Sequence, residues 1–277
     1  MTVSAVIYIT YRCNYFCPYC HSYNKDDPVG YRESMEKEIE AKYWIDFVNR
    51  FRNEKAIWDL TGGEPTLYKG ILELLNAVPE RHKVAITTNL SLPLKDLVPI
   101  LSHRRIFHIT CSWHPSQTND VSSFIGKIHS IRTLGKGISV NYVAYRDDTT
   151  DQISNIPTYK QLFEQNGIPF HVDPYQGSRF IWTKEYIDKV RGYVTDRNLG
   201  EARVIPSMKP CKAGWKYFVA TPSGNIWRCT YFMFNDLKEG YLGNIKEGTF
   251  NPLLKPTDCP RDICSAGCDI DGIRKVG

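Results

Sequence analysis

Six times along the chain a short β-rich run gives way to a stretch of helical periodicity, and this alternation constrains the fold more than any other feature. The β-rich runs are Ser4–Thr10, Ala56–Leu60, Lys83–Thr88, Ile106–Ser112, Ile138–Tyr145 and Pro169–Asp173. The first helical stretch, Met35–Phe51, carries Ile39, Tyr43, Phe47 and Phe51 at four-residue spacing. Gly70–Val78, Leu94–Leu101 and a stripe of Val121, Phe124, Ile125, Ile128, Ile131 and Leu134 follow. Thr158–Gln165 and a segment with Tyr186, Ile187, Val190 and Tyr193 on one side complete the series. Each right-handed crossover returns the chain in the same direction, so the strands are predicted to form a parallel sheet. Six units fall short of the eight of a closed barrel. The expected fold class is therefore α/β, an open partial (β/α)6 barrel with functional residues at the C-terminal ends of its strands.

Cysteine placement divides the chain differently. Eight of the nine cysteines sit at the two ends, three between residues 13 and 20 and five between 211 and 268, with Cys111 alone between them. The chain is long enough for a full core and has no basic, apolar signal segment at its start, so reduced thiols serving metals are expected rather than disulfides. The division predicts a barrel over residues 1–200 and a small cysteine-rich domain over 201–277, with two metal sites. A net charge of +5 without a clustered Lys/Arg run gives no case for nucleic acid binding. No apolar run can span a bilayer, so no membrane partner and a cytoplasmic location are expected.

The first motif, Cys13-Asn-Tyr-Phe-Cys17-Pro-Tyr-Cys20, directly follows the first strand. Three thiolates on one loop can hold three irons of a cubane and leave the fourth open to a ligand. A zinc site or three unrelated core thiols are the plainer alternatives. With this motif and Thr61-Gly62-Gly63-Glu64-Pro65 after the second strand, the sequence resembles the radical S-adenosylmethionine (SAM) superfamily. The resemblance covers roughly residues 1–180. It implies a [4Fe–4S] cluster with an open iron on Cys13, Cys17 and Cys20, and SAM bound at that iron. It also implies Tyr19 at the adenine, Gly62 and Gly63 where backbone approaches the ligand, and Glu64 as acceptor for the methionine ammonium. Thr87-Thr88-Asn89 ends the third strand as in many members, although Leu90 stands where the family often has glycine. Ser112 matches a position that contacts the SAM carboxylate, and Asn141 one that reaches the ribose. An external flavodoxin or ferredoxin is the implied electron donor.

Toward the C-terminus, Tyr217–Thr221, the turn Pro222-Ser-Gly-Asn225 and Ile226–Arg228 read as a hairpin. It is expected to bring Cys211 and Cys229 together at its base. The order of these residues, Gly243-Asn244-Ile245 and the group Cys259, Cys264 and Cys268 resembles the SPASM and twitch domains of radical SAM enzymes. Five thiols cannot fully ligate two cubanes, so one auxiliary [4Fe–4S] cluster is implied. Cys211, Cys229 and Cys268 match its ligand positions, with Cys264 favoured over Cys259 as the fourth. A zinc ribbon held by four of the five cysteines is the alternative. The aromatic segment Tyr231–Phe234 is expected to pack this domain against the barrel.

Other residues carry weaker readings. Neighbours on a strand face opposite sides, so an inward Ser112 places Cys111 outward as a small apolar residue. His21, His114 and His171 could move substrate protons but read equally as satisfied polar groups. Asp173 and Arg179 lie where a substrate could bind. Cys259, if left over from ligation, is a candidate hydrogen donor. The expected activity is hydrogen-atom abstraction followed by oxidation, cross-linking or epimerisation of a small natural-product-type molecule or a ribosomal peptide. A first strand close to Met1 leaves no room for a fused leader-recognition domain, which tilts the reading toward a small molecule. The alternative class is an iron–sulfur or zinc protein without radical chemistry, acting as an electron carrier or scaffold.

Overall fold

A computed structural model of the chain describes residues 2–20, 38–147, 150–175, 183–194, 207, 209–261 and 264. His21, Arg179 and Cys268 lie outside them. In chain order the elements are β1 (Thr2–Thr10), α1 (Ala41–Asn49), β2 (Lys55–Gly62), α2 (Ile71–Ala77), β3 (His82–Thr88) and α3 (Leu94–Leu101). β4 (Ile106–Trp113), α4 (Val121–Arg132), β5 (Gly137–Ala144), α5 (Ile156–Gln165), β6 (Phe170–Pro174) and α6 (Lys184–Arg191) complete the six units. After them come β7 (Tyr217–Ala220), β8 (Asn225–Trp227), the short helix α7 (Thr230–Phe234) and β9 (Tyr241–Asn244).

The sheet order is β6-β5-β4-β3-β2-β1-β7-β8-β9. β1 to β6 are parallel throughout, as the crossovers require. The hairpin does not stand apart. β7 pairs in parallel with β1, Ser4 with Tyr217 through Ile7 with Ala220, and β8 and β9 add antiparallel strands beyond it. The result is a partial (β/α)6 barrel followed by a cysteine-rich hairpin and helix that prolong the same sheet.

Alternation along the strands gives the sheet two chemically different faces. The helix-covered face is apolar: Val3, Ala5, Ile7 and Ile9 of β1 are fully buried with Trp44 and Phe47 of α1 and Trp58 of β2. One polar group there is fully partnered. The indole N–H of Trp58 donates to His82 Nδ1 at 3.1 Å, leaving Nε2 to donate to the Phe51 carbonyl at 3.0 Å. Burial lowers the His82 pKa, in keeping with a neutral ring. Cys111 belongs to this outer core with Trp113, and Ser112 takes the opposite face, as the strand alternation predicts.

The first helix differs from expectation. The four-residue stripe starts at Ile39, but α1 begins at Ala41 and Glu40 is extended. The Ile39 amide donates to the Pro222 carbonyl in the hairpin turn at 3.0 Å, so its backbone is committed to tertiary docking. Ile39, Phe47 and Phe51 are nonetheless buried together.

Candidate metal and cofactor site

The chain leaves β1 into the loop that carries Cys13, Cys17 and Cys20. Cys17 is buried, while Cys13 and Cys20 are partly exposed. The Cys20 amide donates to the Cys17 carbonyl at 3.0 Å, closing a turn around the two thiols. Tyr15 N donates to Cys13 Sγ at 3.4 Å, and Asn89 Nδ2 lies 3.8 Å from the same sulfur. Desolvation pushes the Cys13 thiol up to about 11 and the Cys17 thiol to about 12, with repulsion from Cys20 adding to both. A bound metal would supply the positive charge that such thiols need in order to ionise.

Among the described residues no three or more His, Cys, Asp or Glu side chains close around a single ion. A cubane does not ask for that, because its irons occupy separate corners and each thiolate takes one. The N–H donors already aimed at Cys13 are of the kind that surround cluster sulfurs. Three thiols in this setting fit a [4Fe–4S] cluster.

The Gly-Gly-Glu segment locks onto this loop. Gly63 N donates to the Thr10 carbonyl at 2.7 Å and Glu64 N to the Arg12 carbonyl at 2.8 Å. Gly62 adopts φ +126°, and a Cβ on it would sit 2.2 Å from the Thr10 carbonyl oxygen. A Cβ on Gly63 would lie equally close to the Arg12 carbonyl oxygen. Both glycines are needed because one loop of the chain lies against another, a requirement that stands whatever ligand approaches.

Glu64, which the resemblance makes an acceptor for the methionine ammonium, is held by partners within the protein. It is 0 % exposed. Its Oε1 accepts from Thr66 N at 3.1 Å and Thr66 Oγ1 at 2.7 Å, and its Oε2 accepts from Asn89 N at 2.7 Å. Burial raises its pKa, and the bonds from Thr66, Asn89 and Thr88 oppose that shift. Because those bonds turn the carboxylate into the protein, it braces the end of β3 against the turn after β2.

Asn89 extends the brace, its Nδ2 donating to Asn14 Oδ1 at 3.1 Å while its Oδ1 accepts from Ser91 N at 2.9 Å. Leu90 has φ +52°, the left-handed region a glycine would favour. Its side chain is buried, and its carbonyl accepts from Lys127 Nζ at 2.6 Å. Leu90→Gly removes backbone strain of about 1–2 kcal/mol but deletes a core side chain worth about 2–5 kcal/mol. Packing wins, and denaturant unfolding should show a net loss of about 2 kcal/mol.

Tyr19 is buried, its hydroxyl 2.9 Å from His114 Nδ1 and its ring 5.2 Å from that of Tyr145. Burial pulls the His114 pKa down to about 4, so it is a neutral partner of Tyr19. Gln117 Oε1 accepts from Phe16 N at 2.8 Å, a support for the cysteine loop that no sequence signal marked. Ser112 and Asn141 are register partners on the inner face, beside His171 of β6. Asp173 lies two residues further along β6, where burial raises its pKa.

A second thiol group lies on the same inner side at the hairpin. Cys211 and Cys229 are buried in one apolar cluster with Tyr8, Tyr217, Trp227 and Phe232, and Cys259 and Cys264 pack against it. Cys211 and Thr257 exchange backbone bonds of 2.8 and 3.2 Å, which draws the Cys259 segment in. Arg228 ties the base, donating to the Ala213 carbonyl and to Thr257 Oγ1. Of the aromatic segment, Phe232 enters this cluster and Phe234 is exposed, its ring edge toward Tyr8 of β1.

Comparison with known proteins matches this geometry. The family model for the Radical SAM superfamily covers residues 7–152, more than half of the 277. The antilisterial bacteriocin subtilosin biosynthesis protein AlbA of Bacillus subtilis (strain 168) is 25% identical over 288 aligned positions, covering 92% of this chain. GTP 3',8-cyclase of Haemophilus ducreyi is 36% identical over 89 residues, 29% of this chain and 24% of its own length. Among solved structures, Streptococcus suis SuiB bound to precursor peptide SuiA aligns over 91% of this chain with a TM-score of 0.62 and 20% identity. The chain spans 60% of the length of AlbA and 65% of that of SuiB.

Proposed function

The chain belongs to the radical SAM superfamily, and on that premise we propose that it is an enzyme that modifies a peptide by abstracting a hydrogen atom from it. When bound, the reduced [4Fe–4S] cluster and SAM supply the 5′-deoxyadenosyl radical that performs this step. The observation that carries the reading is the joint between the two motifs, in which Gly62, Gly63 and Glu64 hold the three-thiol loop rigidly at the mouth of a parallel barrel.

Cys13, Cys17 and Cys20 bind the cluster. Glu64, Asn89 and Asn14 keep that loop at the ends of β2 and β3, Tyr19 and His114 wall one side, and Ser112 and Asn141 offer hydrogen bonds to SAM from the inner face. Cys211, Cys229 and Cys268, with Cys264 favoured over Cys259 as the fourth ligand, hold an auxiliary cluster in apolar surroundings. Cys259 remains the candidate hydrogen donor if Cys264 is that fourth ligand. A flavodoxin or ferredoxin supplies the electron. Membership of the family sets aside the carrier or scaffold alternative. Likeness to AlbA over nearly the whole chain favours a peptide, reversing the tilt toward a small molecule drawn from the sequence.

Anaerobic purification with iron and sulfide analysis, then incubation with SAM, dithionite and candidate precursor peptides sought in the neighbouring genes, tests the reading. Expected are about eight irons per chain, release of 5′-deoxyadenosine and a mass or isotope change in the peptide. About four irons plus zinc removes the auxiliary cluster. Absence of 5′-deoxyadenosine under every reducing condition overturns the enzymatic reading, and an unchanged peptide overturns the substrate class.

A further inference from the structure

The turn after β3 directs a side chain at the cysteine loop, and the residue that holds this turn comes from α4. Lys127 flanks the buried stripe of α4, one helical turn from Phe124 and one from Ile131. Its Nζ donates to the carbonyls of Leu90, Leu92 and Ser91 at 2.6, 3.0 and 3.4 Å. An ammonium has three N–H donors, and here three carbonyls of consecutive residues take them. The hold matters because Leu90 sits at φ +52°, a conformation that a leucine keeps only where its surroundings fix it.

What the turn presents is the Asn89 amide. Ser91 N is a donor only, so the atom that meets it at 2.9 Å is Asn89 Oδ1. The other end of the amide then faces the cysteine loop. The two Nδ2 protons go to Asn14 Oδ1 at 3.1 Å and toward Cys13 Sγ at 3.8 Å. Hydrogen bonds to the sulfurs help set the potential of an iron–sulfur cluster. An N–H aimed at a ligating sulfur favours the more negative, reduced state and so raises that potential.

We infer that Lys127 is a positioning residue for the N-terminal cluster: by holding the turn 90–92 it keeps Asn89 Nδ2 aimed at Cys13 Sγ. The inference rests on the reading of Cys13, Cys17 and Cys20 as the cluster ligands and adds a residue that acts through Asn89.

The test is a redox titration of anaerobically reconstituted protein, followed by electron paramagnetic resonance at the signal that added SAM perturbs. Iron content and melting temperature are measured beside it. Asn89→Ala and Lys127→Met should each lower the ratio of reduced to oxidised cluster at a fixed poise about tenfold, or about 59 mV. The double variant should titrate with Asn89→Ala, because both residues act through one bond. Lys127→Arg keeps the charge but not the compact ammonium, so it should fall between the parent and Lys127→Met. It also carries the test if Lys127→Met fails to load iron. Shifts that add in the double variant, or a parent potential in Lys127→Arg, would mean that Lys127 acts through its charge alone and would overturn the proposal. So would a parent potential in either Lys127→Met or Asn89→Ala. A parent protein with no SAM-sensitive signal would instead remove the reading of the three-thiol loop, a result distinguishable from these.

Discussion

Gly63→Ala should yield protein that keeps its C-terminal iron and loses the N-terminal share, about four of about eight irons. The methyl group would stand 2.2 Å from the Arg12 carbonyl oxygen, 2.6 Å from that of Tyr11 and 2.7 Å from the Arg12 carbonyl carbon. All three are backbone atoms, so no rotamer change relieves the clash. Either the Gly63–Thr10 and Glu64–Arg12 hydrogen bonds break, or the segment preceding Cys13 moves away. Overpacking of a rigid site costs about 1–3 kcal/mol, and two lost backbone bonds add about 1 kcal/mol each. That sum shifts loop closure by more than a hundredfold, enough to leave the thiols out of register. Gly126→Ala is the control, because its Cβ meets nothing within 4 Å. It lies within a helix, where alanine is favoured by about 1 kcal/mol, and its iron content should equal that of the parent. Equal iron in Gly63→Ala and Gly126→Ala would show that the joint between the loops does not govern cluster retention.

This joint also shows what the sequence could and could not reveal. The strand runs and helix stripes announce themselves through local periodicity, and the six parallel strands fall within a few residues of where that periodicity puts them. The alternation of Cys111 and Ser112 follows from pleating alone. Pairing of β7 with β1 is different, since it joins residues more than two hundred positions apart and leaves no trace in either segment. The glycines were legible as sites of close approach, but the sequence does not say to what. Within the protein that neighbour is the cysteine loop, whose approach no local signal announces. Glu64 was visible as a carboxylate beside the glycines, while its burial depends on Thr66 and on Asn89 from another strand. Leu90, the departure from the family's glycine, keeps the backbone shape a glycine would give. The buried space around its side chain explains why leucine is tolerated there.

Arg12 is the second residue whose loss should be felt at the thiols, and by a mechanism opposite to that of Gly63→Ala. Its amide donates to Thr10 Oγ1 at 2.9 Å and its carbonyl accepts from Glu64, so its backbone is already engaged on both sides. Its guanidinium reaches Glu38 through Nε at 2.7 Å and Nη2 at 2.9 Å, and Nη2 also donates to the Leu67 carbonyl at 2.8 Å. Glu38 in turn accepts from the Thr10 hydroxyl. One side chain thus ties the end of β1, the segment before α1 and the 3-10 turn Pro65–Leu67 to the residue preceding Cys13. The Arg12 side chain is 39% exposed, which discounts the ion pair, whereas Glu38 at 17% would be left partly buried without its cation. Three charge-assisted bonds under that discount amount to about 2 kcal/mol. Arg12→Ala should therefore fold and load iron, then lose it to a chelator roughly thirty times faster than the parent. Lysine can replace the charge but not the fork, so Arg12→Lys should fall between the two. Glu38→Gln should resemble Arg12→Lys, because the amide retains an acceptor for one guanidinium N–H. Parent-like iron release from Arg12→Ala would mean that the backbone bonds through Gly63 and Glu64 hold the loop unaided.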